Sequence, residues 1–128
     1  MKLLSLVILF LALAACAHPP QLETSLDLRK ESDGVILVKL KVINLENRVT
    51  VPIAIDLAGQ TETNGHWDKA STLLHPAAFV LNRKEQREIT KVWRIQADAV
   101  RTTLVVREQE TGNLLKSEKA EKSFAAPK

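Results

Sequence analysis

The sequence predicts an all-β fold, a β-sandwich of about seven short strands. Three observations predict it. Apolar residues recur with period two along most of the chain, the spacing of one face of a strand. Turn signals separate these runs at intervals of about 8–12 residues, the rhythm of an antiparallel two-sheet fold. Only one segment, residues 83–97, also admits a helical reading.

The elements follow in chain order. Leu22, Thr24, Leu26 and Leu28 alternate with polar neighbours, and Ser32-Asp33-Gly34 ends the run in a turn. Ile36, Val38, Leu40 and Val42 share one face, with Lys39 and Lys41 on the other. Asn44-Leu45-Glu46-Asn47-Arg48 breaks this run. Val49, Val51, Ile53, Ile55 and Leu57 form the next apolar face. Pro52 lies on its outward side and has no N–H to give a ladder, which predicts an edge position or a bulge there. Residues 58–73 are polar and form either a long loop or a short hairpin about Asn64-Gly65. Phe79 and Leu81 predict another short strand. Leu104 to Val106 continues the pattern, Glu110-Thr111-Gly112 turns it, and Asn113 to Phe124 makes a charged last strand. Glycines 34, 59, 65 and 112 are all expected at turns.

Within 83–97 two patterns compete. Asn82 and Glu85 have the spacing of a helix N-cap and its N3 acid, and Leu81, Ile89, Val92 and Gln96 would share a helical face. Ile89-Thr90-Lys91-Val92-Trp93-Arg94-Ile95 is β-branched and aromatic, which favours a strand. The strand is the expectation, with Trp93 as a core residue.

Composition narrows the function classes. A length of 128 residues suits one domain. The single cysteine, Cys16, excludes an intrachain disulfide and a cysteine-based metal cluster. Eighteen basic residues against fifteen acidic ones give a net charge of +3, too balanced for nucleic-acid binding.

The N-terminus reads as an address. Lys2 is a short positive segment, and Leu3 to Leu13 is an apolar run, too short for the ~20 residues of a membrane-spanning helix. This is the form of a secretory signal peptide. The run closes on Leu13-Ala14-Ala15-Cys16, which resembles the lipobox of bacterial lipoproteins. The resemblance implies cleavage between Ala15 and Cys16, a diacylglycerol thioether on Cys16, and an acyl chain on its freed amine. It further implies the outer membrane, facing the periplasm, because residue 17 is Ala rather than Asp. The expected organisation is a signal peptide over 1–15, a lipidated tether over 16–21, a domain over 22–124 and a tail over 125–128. Pro19-Pro20 stiffens the tether, whose reach is about 20 Å at roughly 3.1 Å per extended residue.

A looser likeness concerns the domain. Val42-Ile43-Asn44 with Val49-Thr50-Val51, and later Phe79-Val80-Leu81 with Trp93, resemble bacterial immunoglobulin-like modules of the proteinase-inhibitor-like and pilus-chaperone-like kinds. The resemblance implies an immunoglobulin-like β-sandwich and carries no function.

Residues with chemical potential are sparse. His66, Asp68 and His75 lack the spacing of a metal site, so no metal is expected. Ser71, His75 and Asp68 supply the residue types of a hydrolase triad without a nucleophile elbow, so no catalytic residue is expected. Glu85 and Glu88 among Arg83, Lys84 and Arg87 read as a solvated surface, and Arg101 reads as a solubilising charge. Glu118, Lys119, Glu121 and Lys122 read as solvated charges that protect a sheet edge. Trp67, in the polar stretch Asn64-Gly65-His66-Trp67-Asp68, is either a partner contact or a lid folded over the sandwich. The terminal Lys128 does not match the ending of peptidoglycan-linked lipoproteins. The expectation is a non-enzymatic interaction or assembly module of the cell envelope. It has no cofactor beyond the lipid on Cys16, and its partners are the membrane and an envelope protein. The Pro52 edge, the 58–73 segment and the last strand are candidate contact surfaces. A proteinase-inhibitor-like binding module is the alternative, and a small hydrolase or metal carrier using His66 and His75 is the third reading.

Overall fold

The computed structural model describes residues 20–124. Ala15, Cys16, the rest of 1–19 and the 125–128 tail lie outside the described residues. Eight strands follow in order: β1 (Leu22–Ser32), β2 (Val35–Asn44), β3 (Ile53–Thr63), β4 (His66–Trp67), β5 (Ser71–Leu74), β6 (Gln86–Arg94), β7 (Ala99–Glu108) and β8 (Leu114–Ser123). One sheet is ordered β1-β2-β6. In the other, β3 pairs with β7 on one side and with β4 and β5 on the other, and β8 adds beyond β7. All pairings are antiparallel.

Period two builds the core. Ile36, Val38, Leu40 and Val42 face inward from β2, and Lys39 faces out. Leu40 sits in register between Leu26 of β1 and Ile89 of β6. Opposite them, Ile53, Ile55 and Leu57 of β3 lie in register with Glu108, Val106 and Leu104 of β7. The two inner faces form one buried cluster that includes Trp93 and Leu81. Residues 86–94 are a strand, as their composition predicts, and Trp93 is buried. The 58–73 region contains the hairpin: Asn64 and Gly65 both have positive φ, 53° and 82°, as a type I′ turn requires.

Four expectations need correction. Val49 and Val51 do not join the strand face and are exposed. Thr50 faces inward instead, because its N–H donates to Leu81 O at 2.9 Å and its hydroxyl accepts from Leu81 N at 2.9 Å. That reciprocal pair sets the register of the segment one residue away from the apolar alternation. Pro52 marks neither an edge nor a bulge. It lies just before β3, a strand paired on both sides, and its carbonyl accepts from Gln109 N at 3.0 Å. Gly59 is not in a turn but buried within β3. Phe79 and Leu81 form no strand; one bridge joins Phe79 to Ile53.

The helical signal at 82–85 has a structural basis. Glu85 Oε1 accepts from Asn82 N at 2.7 Å, and Glu85 N donates to Asn82 O at 3.1 Å. The first is one half of a capping box, and the second, main chain to main chain, closes a four-residue turn. Lys84 then takes φ 56°, which turns the chain out of a helix and into β6.

The strands define two poles. Leu22, Asn44, Ile53, Gln86, Glu108 and Leu114 end or begin strands at one pole. Asn44, fully buried, organises it. Its side-chain N–H groups donate to Arg48 O at 2.7 Å and Asn82 O at 2.9 Å, and its Oδ1 accepts from Glu46 N at 3.0 Å. The far pole carries the 32–34 and 64–65 turns. There Asp98 N donates to Glu62 O at 2.9 Å, and Phe124 N donates to Asp98 O at 2.7 Å.

Candidate functional site

The search for a site begins with which surfaces remain open. At one side of the sandwich, β1 and β8 are neighbouring edges. Glu118 accepts from the Thr24 hydroxyl at 3.1 Å, and Lys122 Nζ donates to Leu28 O at 3.4 Å. These side chains project inward from the last strand and occupy the edge. At the other side, Arg87 projects inward from β6 and lies 4.1 Å from the Phe79 ring centroid. Lys91, on the same face of β6, is paired with Val38. Inward-pointing charges on both edge strands oppose strand addition. On the last strand, Glu118 and Lys122 thus guard the edge beside β1 against strand addition.

The outer face of the second sheet is different. Glu62 of β3 is in register with Trp67 and with Ala99, and Gln60 is in register with Arg101. Trp67 thus stands on the solvent face and is neither a lid over the core nor part of a protruding loop. The Arg101 guanidinium lies 4.1 Å from the centroid of its ring. Arg101 Nε also donates to Glu121 Oε2 of β8 at 3.2 Å. Trp67, Arg101 and Glu121 form one row across β4, β7 and β8. An aromatic ring held by a guanidinium has few rotamers left to lose on binding, which suits it as an anchor. Sequence reasoning missed Arg101, because its link to Trp67 exists only through the pairing of β3 with both β4 and β7. Alternation along β7 puts Arg101 outward; no local motif names its partner.

The histidine-based sets are not assembled. His75 Nδ1 lies 2.5 Å from Asp56 Oδ1, whereas Asp68 accepts from the Thr61 hydroxyl at 3.0 Å. His66 is in register with Thr63. Among the described residues no group of three or more His, Cys, Asp or Glu is placed to hold a metal ion. An open cleft of about 370 Å³ lies at the far pole, lined by Lys30, Asp33, Gln96 and Phe124 among others.

No protein-family model matches the chain, and no curated protein matches it. Solved structures do. The CARDB domain of PF1109 from Pyrococcus furiosus superposes with a TM-score of 0.57 at 18% identity, over 84% of this chain and 96% of that one. The alkylpurine DNA glycosylase AlkC of Pseudomonas fluorescens, bound to DNA with an abasic-site analog, gives 0.56 at 17% identity. The match covers 87% of this chain but only 33% of the glycosylase, so this chain spans about a third of that enzyme's length. A Bordetella pertussis protein assigned to ApaA gives 0.54 at 18% identity, over 87% of this chain and 98% of that one. At these identities the likeness concerns architecture alone. With eight strands in two antiparallel sheets, the chain folds as an immunoglobulin-like β-sandwich.

Proposed function

We propose that this protein is a lipoprotein anchored through Cys16 in the outer membrane and facing the periplasm. There it serves as a non-enzymatic interaction and assembly module for an envelope protein. The observation that carries the reading is Leu13-Ala14-Ala15-Cys16 closing an apolar run, with the chain's only cysteine at the position an acyl group requires. The Cys16 thiol, losing its proton, displaces the phosphate headgroup of a glycerophospholipid to form the diacylglyceryl thioether; water cleaves the Ala15–Cys16 bond; and the freed amine takes an acyl chain from a second phospholipid ester, releasing the lysophospholipid. Several acyl chains on one residue anchor firmly where a single chain is marginal, each buried methylene adding about 0.8 kcal/mol.

The domain's layout supports the rest. β1 begins at Leu22, so the tether over 16–21 joins the sandwich at the pole organised by Asn44. The Trp67–Arg101–Glu121 row lies toward the far pole, on the face left open by the protected edges. That row is the proposed contact for the protein partner. The test is palmitate labelling with membrane fractionation, comparing wild type with Cys16→Ser. Labelled protein in the outer-membrane fraction, lost in the variant, is the expected result. Labelling that persists in Cys16→Ser would overturn the reading.

A further inference from the structure

The exposed apolar side chains are not scattered. Six large ones are exposed among the described residues: Leu45, Val49, Val51, Val80, Val92 and Leu114. All but Val92 lie at the pole where β1 begins, each between 41% and 55% exposed. Hydrogen bonds gather them from three distant segments. Leu45 N donates to Gln21 O at 3.0 Å, next to the tether itself. Thr50, between Val49 and Val51, is bonded to Leu81, which brings Val80 alongside. Pro52 O holds Gln109 N at 3.0 Å, and Glu108 N donates to Asn113 O at 2.9 Å, which places the β7–β8 hairpin and Leu114 at the same pole.

We propose that this pole is a membrane-contact surface that seats the domain end-on against the phospholipid bilayer. The inference rests on acylation of Cys16. The occupant is argued from the tether's length and its point of attachment. No more than six residues separate the acylated position from Leu22, so the pole stays within about 20 Å of the lipid headgroups at roughly 3.1 Å per residue. A short tether gives such a surface an effective concentration in the millimolar range, and a weak contact is then well populated. Side chains of this kind bury in the headgroup boundary while long cations reach past them. Arg83, exposed on the 82–85 turn, is such a cation, whereas Lys84 Nζ donates to Leu45 O and pins the turn to the pole. Glu46, Glu108 and Glu110 share the pole, so charge is mixed and the apolar side chains carry the contact. Seated this way, the far pole points into the periplasm and the face bearing Trp67 and Arg101 remains free.

The acylated full-length protein in phosphatidylethanolamine–phosphatidylglycerol vesicles tests this. Cys16 is blocked by its lipid, so Val49→Cys, Leu114→Cys and Asp33→Cys each give one thiol for a nitrobenzoxadiazole label. Asp33 lies in the far turn. The expected result is blue-shifted emission at 49 and 114, with several-fold stronger quenching by lipid-borne nitroxide than at 33. Equal, water-like emission at all three positions in protein that floats with the vesicles would overturn the proposal and leave the anchor intact. Burial of the 49 and 114 labels only on adding a periplasmic extract would also overturn it, in favour of a protein occupant. A chain without fatty acid on Cys16 would overturn the anchoring and the seated pole together.

Discussion

A Cβ atom on Gly59 would lie 2.7 Å from Cη2 of Trp93 and 2.8 Å from Cδ1 of Leu73. Gly59 belongs to β3 of one sheet and Trp93 to β6 of the other. The missing side chain is what lets the indole of one sheet approach the backbone of the other so closely. Overpacking of this kind costs about 1–3 kcal/mol. Gly59→Ala is expected to lower the unfolding free energy by that amount in urea titration. Trp93→Phe should relieve part of the clash, so the double variant should lose less than the sum of the singles. Additive losses would show that the contact does not set the packing.

The Asn44 side chain bonds one backbone N–H and carbonyls of two separate segments. Asn44→Leu removes three part-buried hydrogen bonds at once, each contributing about 0.5–1.5 kcal/mol. The expected result is a lower melting temperature with amide exchange accelerated first in 45–50 and 79–85. Exchange that rises uniformly across the sandwich would contradict a local organising role.

Sequence legibility divides along the same line. Strands β1, β2 and β7 are readable because Leu40, Val42, Leu104 and their neighbours obey period two, while β6 is readable from its β-branched and aromatic composition and β8 from the turn at Glu110-Thr111-Gly112 before it. Gly59 looked like a turn residue because a glycine in a polar stretch has the same local signature whether it bends the chain or yields space to a distant tryptophan. Val49 and Val51 look like a strand face, yet the Thr50–Leu81 bond pair overrides alternation there. Trp67 was legible as a residue of interest, while its stacking on Arg101 was not, since β4 and β7 meet only through β3.

Arg101 stacks on Trp67 on an exposed face, where a cation–π contact adds about 0.5–1 kcal/mol. Trp67→Ala and Arg101→Ala should therefore shift stability little. In vivo photo-crosslinking from the outer face should nonetheless lose its adduct in both variants. Adducts that survive in Trp67→Ala would remove this row from the partner contact.

Arg87 and Lys91 point inward from the edge strand β6. Replacing both with Val removes the charges that oppose strand addition. The double variant is expected to form concentration-dependent oligomers in sedimentation velocity, while wild type does not form them through this edge. A variant that sediments like wild type would show that the edge is protected by other means.

The most direct test of the central claim is the intact mass of the mature N-terminal peptide from membrane-extracted protein. The account predicts a peptide beginning at Cys16 that carries a diacylglyceryl thioether and an amide-linked acyl chain. A mature chain that begins elsewhere, or begins at an unmodified Cys16, would contradict it.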